Sequence, residues 1–524
     1  MSCNKNHLLT AGAFIGGLLA ILGGILIPVG NSIIEDNVKK EAVIENGTVA
    51  YENWVLAGSP VYRQFWLFNV NNPLEIAQNG SKPILRQKGP YTYRVRYLPK
   101  INITVNLNNT ISFLQPYCAY FEPGLSVGTE EDNITFLNLA VAGAPSILPP
   151  LLLPLLNNAI KQTNSSLFQT RTVKEMLWGY EDPVLKQLRL PDPHTGVFYP
   201  YNGTADGYYN IFTGRGNIEK LGIIDRWQGK GKLTTWQDPY CDMINGTDGS
   251  VFPPFIDKRK LLDFFSSDIC RSVSAEYESS RVLKGIPVYR FMLPSKTFAS
   301  PVDNPENKCY CKDPRFTRNC TMAGILDISG CKEGQYYTPC TILYFSLYVA
   351  DTTVVVLLHN FMDIFIAFVG MPIYISLPHF LYGSEALKEA IDGMEPNEEE
   401  HSTFLDVEPV TGISLNVAKR LQVNIAVQPS NQIEVLSNIK EPILFPLVWL
   451  NETATVDDAT AEELKGALIS TMDLLETIQM TLIGCGCVIF LASIISLCVL
   501  KKNKTKKYDQ SKEMTDKGIS ANHF

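Results

Sequence analysis

Residues 8–29 read LLTAGAFIGGLLAILGGILIPV, and residues 478–500 read IQMTLIGCGCVIFLASIISLCVL. The first run has 22 residues without a charge, and the second has 23 residues with Gln479 as its one strongly polar side chain. Each run is long enough to cross a bilayer as a helix. The first is longer than the apolar region of a signal peptide and lacks a convincing cleavage site. The sequence therefore predicts an uncleaved membrane anchor at each end.

Charge outside the two runs predicts how the chain crosses the membrane. The second run is followed at once by KKNKTKK, which brings five lysines to that end. Lysine-rich flanks stay in the cytoplasm, so both tails are expected there and the long middle segment outside. The predicted order is a cytoplasmic tail (1–7), a transmembrane helix (8–29), an extracellular domain (30–477), a second transmembrane helix (478–500) and a cytoplasmic tail (501–524).

Glycosylation signals agree with this topology, because N-x-S/T acceptors are modified only on the lumenal side. Ten fall between the spans: Asn46, Asn79, Asn102, Asn108, Asn133, Asn164, Asn202, Asn245, Asn319 and Asn451. A further match at Asn503 lies in the lysine-rich tail and is expected to stay unmodified.

The overall composition excludes one class of partner. The net charge of -8 and a pI near 5.5 make nucleic acid a poor candidate. With 45% hydrophobic residues the chain has enough apolar side chains for a large core. We see no motif for a cofactor and expect none.

Six cysteines cluster in the middle of the chain, at 241, 270, 309, 311, 320 and 331. A zinc site is disfavoured because no histidine stands at ligand spacing and the compartment is oxidising. Disulfides are predicted instead, and six cysteines leave 15 pairings open. Cys118 and Cys340 remain, and each is either free or in a further bridge.

Most of the extracellular domain reads as antiparallel sheet. Short aromatic and β-branched segments stand at 61–73, 89–99 and 285–294, and Leu421, Val423, Ile425 and Val427 alternate as in a half-buried strand. Helical pieces are predicted over 133–160 and 172–178. Four prolines in the first should break it into short turns.

Two motifs could indicate an enzyme or a metal site, but each is a poor match to the pattern that such a site requires. Gly124 to Gly128 match G-x-S-x-G around Ser126, but a proline precedes the motif and an acidic stretch follows, so a nucleophile elbow is not expected. Glu398, Glu399, Glu400 and His401 are consecutive, and such runs are usually solvated. We therefore expect neither catalysis nor a metal.

Small residues and cysteines mark the membrane segments. Gly12, Gly16, Ala20 and Gly24 recur every fourth position on one face of the first span, which lets another helix approach closely. That partner is either the second span or another copy of the chain, so a homo-oligomer stays open. Cys3 and Cys498 lie beside membrane ends and are candidate palmitoylation sites.

The stretch from Ala140 to Lys161, AVAGAPSILPPLLLPLLNNAIK, is strongly apolar and broken by prolines. In a domain surrounded by water it belongs either to the core or to an exposed site for lipid or an apolar protein.

Many runs of the extracellular segment resemble the class B scavenger receptors, and in particular their fatty-acid-transporting branch. The matching runs are VYRQFW, GPYTYRVR, LSVGTEEDNITFLNLAV, LWGYEDP, FYPYNGTADG, CDMINGTDG, FFSSDICRS, GIPVYRF, CKEG, ISLPHFLY, PNEEEH and AKRLQVN.

This resemblance implies an α+β extracellular domain with an antiparallel β-barrel core, a helical bundle at its apex and an internal hydrophobic tunnel. It also implies disulfides between Cys241 and Cys309, Cys270 and Cys331, and Cys311 and Cys320. The expected ligands are long-chain fatty acids, oxidised lipoproteins, anionic phospholipids and thrombospondin. Leu151, Lys161 and Gln162 are the candidate residues for ligand access at the apex.

The chain departs from the family pattern at several places. Gln162 and Asn164 stand where the fatty-acid-transporting members carry a lysine pair, with Lys161 adjacent. Residues 99–109 lack the acidic side chains of the thrombospondin-binding stretch, and His7 and Leu500 replace two palmitoylated cysteines. The tail shows no lysosomal sorting signal, so we expect the plasma membrane, with Golgi and lipid-raft pools.

The resulting hypothesis is a lipid receptor and long-chain fatty-acid transporter. The alternative is a carrier or adhesion receptor for a protein ligand, as in the lysosomal branch of the family.

An apolar stretch, CTILYFSLYVADTTVVVLLHNFMDIFIAFVGM at 340–371, interrupts the resemblance. A third crossing would place Asn451 and the following strand-like segments in the cytoplasm and turn the lysine-rich tail outward, against the positive-inside bias. A core role is also disfavoured, because the family barrel is complete without it. We interpret residues 335–371 as an apolar insertion, of splicing or intronic origin, looped out of the extracellular domain.

Overall fold

The computed structural model describes residues 2–56, 60–190, 192–200, 202–314, 316–331 and 371–520. It divides into two compact units, Met1–Lys40 with Ala459–Phe524 and Glu41–Asp458. The helices in chain order are α1 (Ser2–Ala42), α2 (Val49–Val55), α3 (Pro73–Asn79), α4 (Leu139–Ile147), α5 (Leu153–Gln162), α6 (Val173–Trp178), α7 (Pro183–Gln187), α8 (Glu385–Glu389), α9 (Glu398–His401), α10 (Asp458–Leu464) and α11 (Ser470–Ser520).

The strands of the larger unit form mostly one antiparallel sheet. They are β1 (Val61–Val70), β2 (Leu85–Tyr97), β3 (Ile101–Val105), β4 (Thr110–Phe121), β5 (Asn133–Leu137), β6 (Phe168–Thr172), β7 (Tyr180–Glu181), β8 (His194–Thr195), β9 (Ala205–Phe212), β10 (Ile224–Trp227), β11 (Leu262–Ser266), β12 (Arg271–Leu283), β13 (Ile286–Met292), β14 (Leu326–Asp327), β15 (Ile373–Ser376), β16 (Phe404–Val407), β17 (Ser414–Val427) and β18 (Ile443–Thr455).

The main sheet has 14 strands, in the order β10-β9-β4-β2-β1-β18-β17-β16-β13-β12-β11, with β3, β14 and β15 at its sides. It curls into a nearly closed barrel, as the α+β prediction requires. The first and last strands of the unit are neighbours in its middle, where Val61 pairs with Ala454 and Leu67 with Val448. The strands predicted over 61–73, 89–99, 285–294 and 421–427 are confirmed within β1, β2, β13 and β17.

The helical prediction over 133–160 is partly wrong. Asn133–Leu137 is strand β5, paired with β6. Pro145 lies inside α4 rather than breaking it. The prediction over 172–178 is confirmed, because Thr172 caps α6 and exchanges hydrogen bonds with Glu175 in a capping box. Helix α4 packs against α7 and β17, and α5 packs against α7.

Three disulfides cross-link segments of the larger unit: Cys241–Cys309, Cys270–Cys331 and Cys311–Cys320. These are the pairings that the family resemblance implies. Cys118 is buried and disulfide-bonded, so of the two predicted states, free or in a further bridge, the bridge is confirmed. Cys340 and the rest of the predicted insertion lie outside the described residues, except Met371, which is buried.

Two helices, over Lys5–Ala42 and Asp458–Lys512, are long and apolar enough to cross a membrane. They pack closely on each other. A Cβ atom on Gly16 would lie 2.6 Å from the backbone nitrogen of Phe490, and one on Gly486 would lie 2.5 Å from that of Ala20. The buried amide of Gln479 donates to the Leu26 carbonyl at 3.0 Å. The small-residue face therefore contacts the second span, one of the two partners left open by the sequence.

Gly24 is an exception within that face. A Cβ atom added there would meet nothing within 4 Å, whereas one on Gly12 would approach the Ser493 hydroxyl at 2.7 Å. Gly24 therefore does not contact the second span, and of the two predicted partners only another copy of the chain stays open for it. The helices meet through Gly12, Gly16 and Ala20, and farther along through Gly23 and Gly30.

This difference gives a matched test of the helix pair. Gly16→Leu should lower the thermal unfolding midpoint of the full chain in detergent, because overpacking costs about 1–3 kcal/mol. Gly24→Leu adds the same side chain where there is room and should leave the midpoint unchanged. Equal midpoints for both variants would contradict the packing described above.

Candidate functional site

Three exposed leucines follow α4 in the larger unit. Leu151 is 87% exposed, Leu152 42% and Leu155 58%. Positions three and four apart are neighbours on a helical surface, so these side chains form one cluster rather than scattered singles. We call Leu151, Leu152 and Leu155 the leucine patch. Contiguous apolar surface of this kind marks contact sites for membranes, lipids or proteins.

The local sequence explains the patch. A short 3-10 turn at Pro150–Leu152 leads into α5, whose first turn holds Pro154. Leu153, Leu156 and Ile160 fix the helix to the core through its other face. The apolar stretch from 140 to 161 thus divides between the two readings that the sequence left open, with part in the core and part exposed.

The other two candidate access residues lie on the same helix but are already engaged. The ammonium of Lys161 forms an ion pair with Glu434 at 2.5 Å. The Gln162 side-chain oxygen accepts a hydrogen bond from the Gln187 amide at 2.7 Å. Glu434 is further held by the Asn157 side chain, which accepts from its backbone N–H at 3.0 Å. The patch is therefore apolar, and its neighbouring lysine carries a balanced charge.

An ionic network lies on the inner face of the sheet and was not singled out from the sequence. Arg63 pairs with Glu452, and Lys419 bridges Glu452 at 3.2 Å and Asp268 at 2.6 Å. Alternate residues of a strand share a face, and Arg63 shares its face with the buried Phe65. That alternation in VYRQFW was the signal available in the sequence.

Electrostatics keeps this network ionised. Burial alone would raise the pKa of the Glu452 carboxyl, but the charges of Arg63 and Lys419 hold it below its ordinary value. Burial would likewise lower the pKa of Lys419, and the carboxylates of Asp268 and Glu452 raise it instead. Two cations, Arg63 and Lys419, thus balance two anions, Glu452 on the sheet and Asp268 in the turn before β12.

The two histidines near the carboxylate run are buried and stacked. The rings of His379 and His401 lie 4.7 Å apart and 15° from parallel. His379 Nδ1 accepts from the Glu395 N–H at 3.1 Å, so its Nε2–H donates to Gln87 at 2.6 Å. His401 Nδ1 accepts from the Asn397 N–H at 2.9 Å.

Both imidazole rings of this pair are neutral near pH 7. Burial, then the neighbouring His401, lowers the pKa of His379 to about 4. Burial, then the charge of Arg420, lowers the pKa of His401 to about 4. The glutamates of the run are exposed while His401 points inward, as expected for a solvated run rather than a metal site.

The serine of the G-x-S-x-G match is part of a loop. Its hydroxyl donates to the Glu122 carbonyl at 2.9 Å and accepts from the Thr92 N–H at 2.9 Å. A 3-10 turn at Pro123–Leu125 precedes Ser126, so the strand–turn–helix of a nucleophile elbow is not formed.

One group of potential metal ligands occurs among the described residues, namely Asp238, Cys241 and Cys309. Its two sulfurs are joined in a disulfide and cannot act as thiolates.

Nine of the ten predicted glycosylation acceptors are exposed: Asn46, Asn79, Asn102, Asn108, Asn133, Asn164, Asn202, Asn245 and Asn319. Asn451 differs, because it is buried in β18 and its amide donates to Gln64 at 3.1 Å. Its oxygen accepts from Arg420 at 3.4 Å. This environment argues against a glycan on Asn451 in the folded chain and corrects that prediction.

Comparisons of the whole chain with known proteins agree on one family. A model of the CD36 family matches residues 14–356 and 357–497, two segments that meet inside the predicted insertion. The chain is 32% identical over 515 residues to scavenger receptor class B member 1 of Mus musculus, covering 95% of this chain and 92% of the relative. It is 36% identical over 446 residues to lysosome membrane protein 2 of Rattus norvegicus, covering 84% of each.

The histidine pair predicts acid sensitivity. An unfolded histidine titrates near 6.5, so between that pH and about 4 the unfolded chain binds more protons and stability falls as pH falls. At about 1.4 kcal/mol per pKa unit, His379 alone contributes about 3 kcal/mol to this loss. Thermal unfolding of the full chain should therefore show midpoints that drop from pH 7 to pH 4.

His401→Phe keeps an aromatic ring in the stack and removes one titrating group, so its midpoint should depend less on pH than that of the unmodified chain. His194→Gln removes a half-exposed histidine and serves as the control. An unchanged pH slope in His401→Phe would contradict the assignment.

Proposed function

Since the chain belongs to the CD36 family, the class B scavenger receptors, we propose that it is a cell-surface lipid receptor that takes up long-chain fatty acids. The family relation makes it a membrane protein whose general partners are lipids and lipoproteins. Our proposal adds the fatty-acid-transporting activity, the oxidised lipoproteins and anionic phospholipids as further ligands, and the plasma membrane as the principal location.

The leucine patch is the observation that carries this proposal. A soluble domain rarely keeps neighbouring leucines in water unless they contact a partner. Burying a leucine side chain fully contributes about 1.5–3 kcal/mol, so the three leucines offer substantial affinity for an acyl chain or a lipoprotein surface. The balanced charge of Lys161 fits apolar contact there better than capture of a carboxylate.

Transfer to the bilayer requires no chemistry. Each methylene of an acyl chain gains about 0.8 kcal/mol by leaving water, so a dry conduit lowers the cost of the passage. We propose a tunnel within the barrel as that conduit. Its path should avoid the ionic network of Arg63, Glu452, Lys419 and Asp268, since breaking a buried ion pair costs about 3–5 kcal/mol and an acyl chain offers these charges no new partner.

Modification sites complete the proposal. Cys498 is exposed and free and Cys3 lies at the start of α1, and we propose both as palmitoylation sites. The nine exposed acceptor asparagines are proposed to carry glycans. Thrombospondin remains a weaker candidate, because the β3 hairpin lacks carboxylates and carries exposed acceptors at Asn102 and Asn108.

The proposal predicts that Leu151→Ser combined with Leu155→Ser lowers the uptake of labelled oleate in transfected cells at least about fivefold, because apolar contact area is lost. Leu74→Ser alters an equally exposed leucine on α3 and should leave uptake unchanged. Uptake is compared at matched surface amounts.

Unchanged oleate uptake in the double variant would contradict the role of the patch. If the unmodified chain raises no uptake, resides in lysosomes and captures protein without lipid, the protein-carrier alternative replaces the proposal.

A further inference from the structure

A cavity of about 250 Å³ opens on the larger unit. Its walls come from four segments: Gly80 and Ser81 after α3, the turn after Phe316, helix α8 with its flank, and the chain entering β18. It shares no residue with the patch. We call it the rim cavity.

The floor of the rim cavity is apolar. Phe316, Leu387, Ile439 and Leu444 line it and all are buried. Apolar side chains at the base of a cleft are the usual lining of a site that accepts hydrocarbon.

Two cations stand at its edge. Arg318 and Lys440 line the cavity, are exposed, and form no ion pair with any carboxylate in the described part of the chain. Glu441 also lines the edge, which leaves a net charge of one positive unit. Arg318 has φ 51° and Asn319 has φ 57°, conformations that few non-glycine residues adopt, and they fix the turn that carries the guanidinium.

We propose that the rim cavity binds a single-chain amphiphile with an anionic headgroup, such as a fatty-acid carboxylate. The headgroup contacts Arg318 and Lys440, and part of the chain enters the apolar floor. A guanidinium can bind a carboxylate with two parallel hydrogen bonds, which suits it to this role.

Size and charge select this occupant. The cavity is smaller than the pockets of about 300–1,000 Å³ that enclose drug-sized ligands, so it holds part of one chain and not a lipoprotein or a two-chain lipid. An uncharged hydrocarbon would leave both cations without a partner. The inference goes beyond the proposed function, because it adds a charged site to the uncharged contact of the leucine patch.

The test uses the full chain in lipid nanodiscs with tritiated palmitate carrying a photoreactive diazirine in the part of the chain nearest the carboxylate. Cross-links should map to residues 80–81, 316–322, 386–390 and 439–444. The variant Arg318→Gln with Lys440→Gln should lower this labelling about tenfold, because both charge-assisted contacts are lost. Lys174→Gln with Lys232→Gln removes the same charge from exposed lysines elsewhere and should label normally.

Two further arms keep the test decisive. The methyl ester of the same probe carries no charge and should label the cavity weakly, to the same extent in the unmodified chain and the Arg318/Lys440 variant. Ala390→Trp narrows the cavity from an exposed position and should abolish labelling by palmitate while thermal stability is kept.

Labelling elsewhere, or equal labelling of the unmodified chain and the Arg318/Lys440 variant, would overturn the inference. Its failure is separable from that of the proposed function, since oleate uptake and its dependence on Leu151 and Leu155 are measured in cells and do not use the rim cavity.

Discussion

The pairing of β1 with β18 is the constraint on which the larger unit depends. It joins Arg63 to Glu452, residues 389 positions apart, and so closes most of the larger unit into one loop. Closing a loop of this length costs about 5 kcal/mol of chain entropy before any constant term. The long register along β17 and β18 and the aromatic core beneath them must supply that free energy.

The leucine patch and the rim cavity both lie on segments of the larger unit that pack on or connect the strands of this nearly closed sheet. Helix α4 packs on β17 and on α7, which contacts the helix α5 that carries Leu155, while the turn after Phe316 and the chain into β18 line the rim cavity. The molecule thus keeps apolar contact and positive charge in different places. The pairing of Lys161 with Glu434 enforces the separation, because it balances the one lysine beside the leucines.

Local patterns in the sequence predicted much of this arrangement. Unbroken apolar runs identified both spans, alternation identified β17, and the helical piece predicted over 172–178 is α6. Where a pattern was ambiguous, tertiary contacts decided. Residues 133–137 pair with β6 as a strand, although the apolar run that follows them reads as helix.

Features set by distant partners were beyond local patterns. The exposure of Leu155 depends on which face of α5 packs against the core, and the pairing of Lys161 depends on Glu434, which is remote in sequence. The spacing of Gly24 matched that of Gly16, yet the second helix passes only the latter. The ionic network needs a register between three strands, which alternation within one strand cannot supply.

The hydrogen bond from Gln479 to Leu26 has a consequence for biosynthesis. Its partners are 453 positions apart, so at about 5–20 residues per second the anchor carrying Leu26 waits roughly 20–90 s for the second helix to be translated. Once the second helix has entered the membrane, the Gln479 amide faces hydrocarbon without a protein partner until it meets the Leu26 carbonyl. A chain that is cut short before the second helix can never form this bond, so the two helices can associate only after most of the chain has been translated.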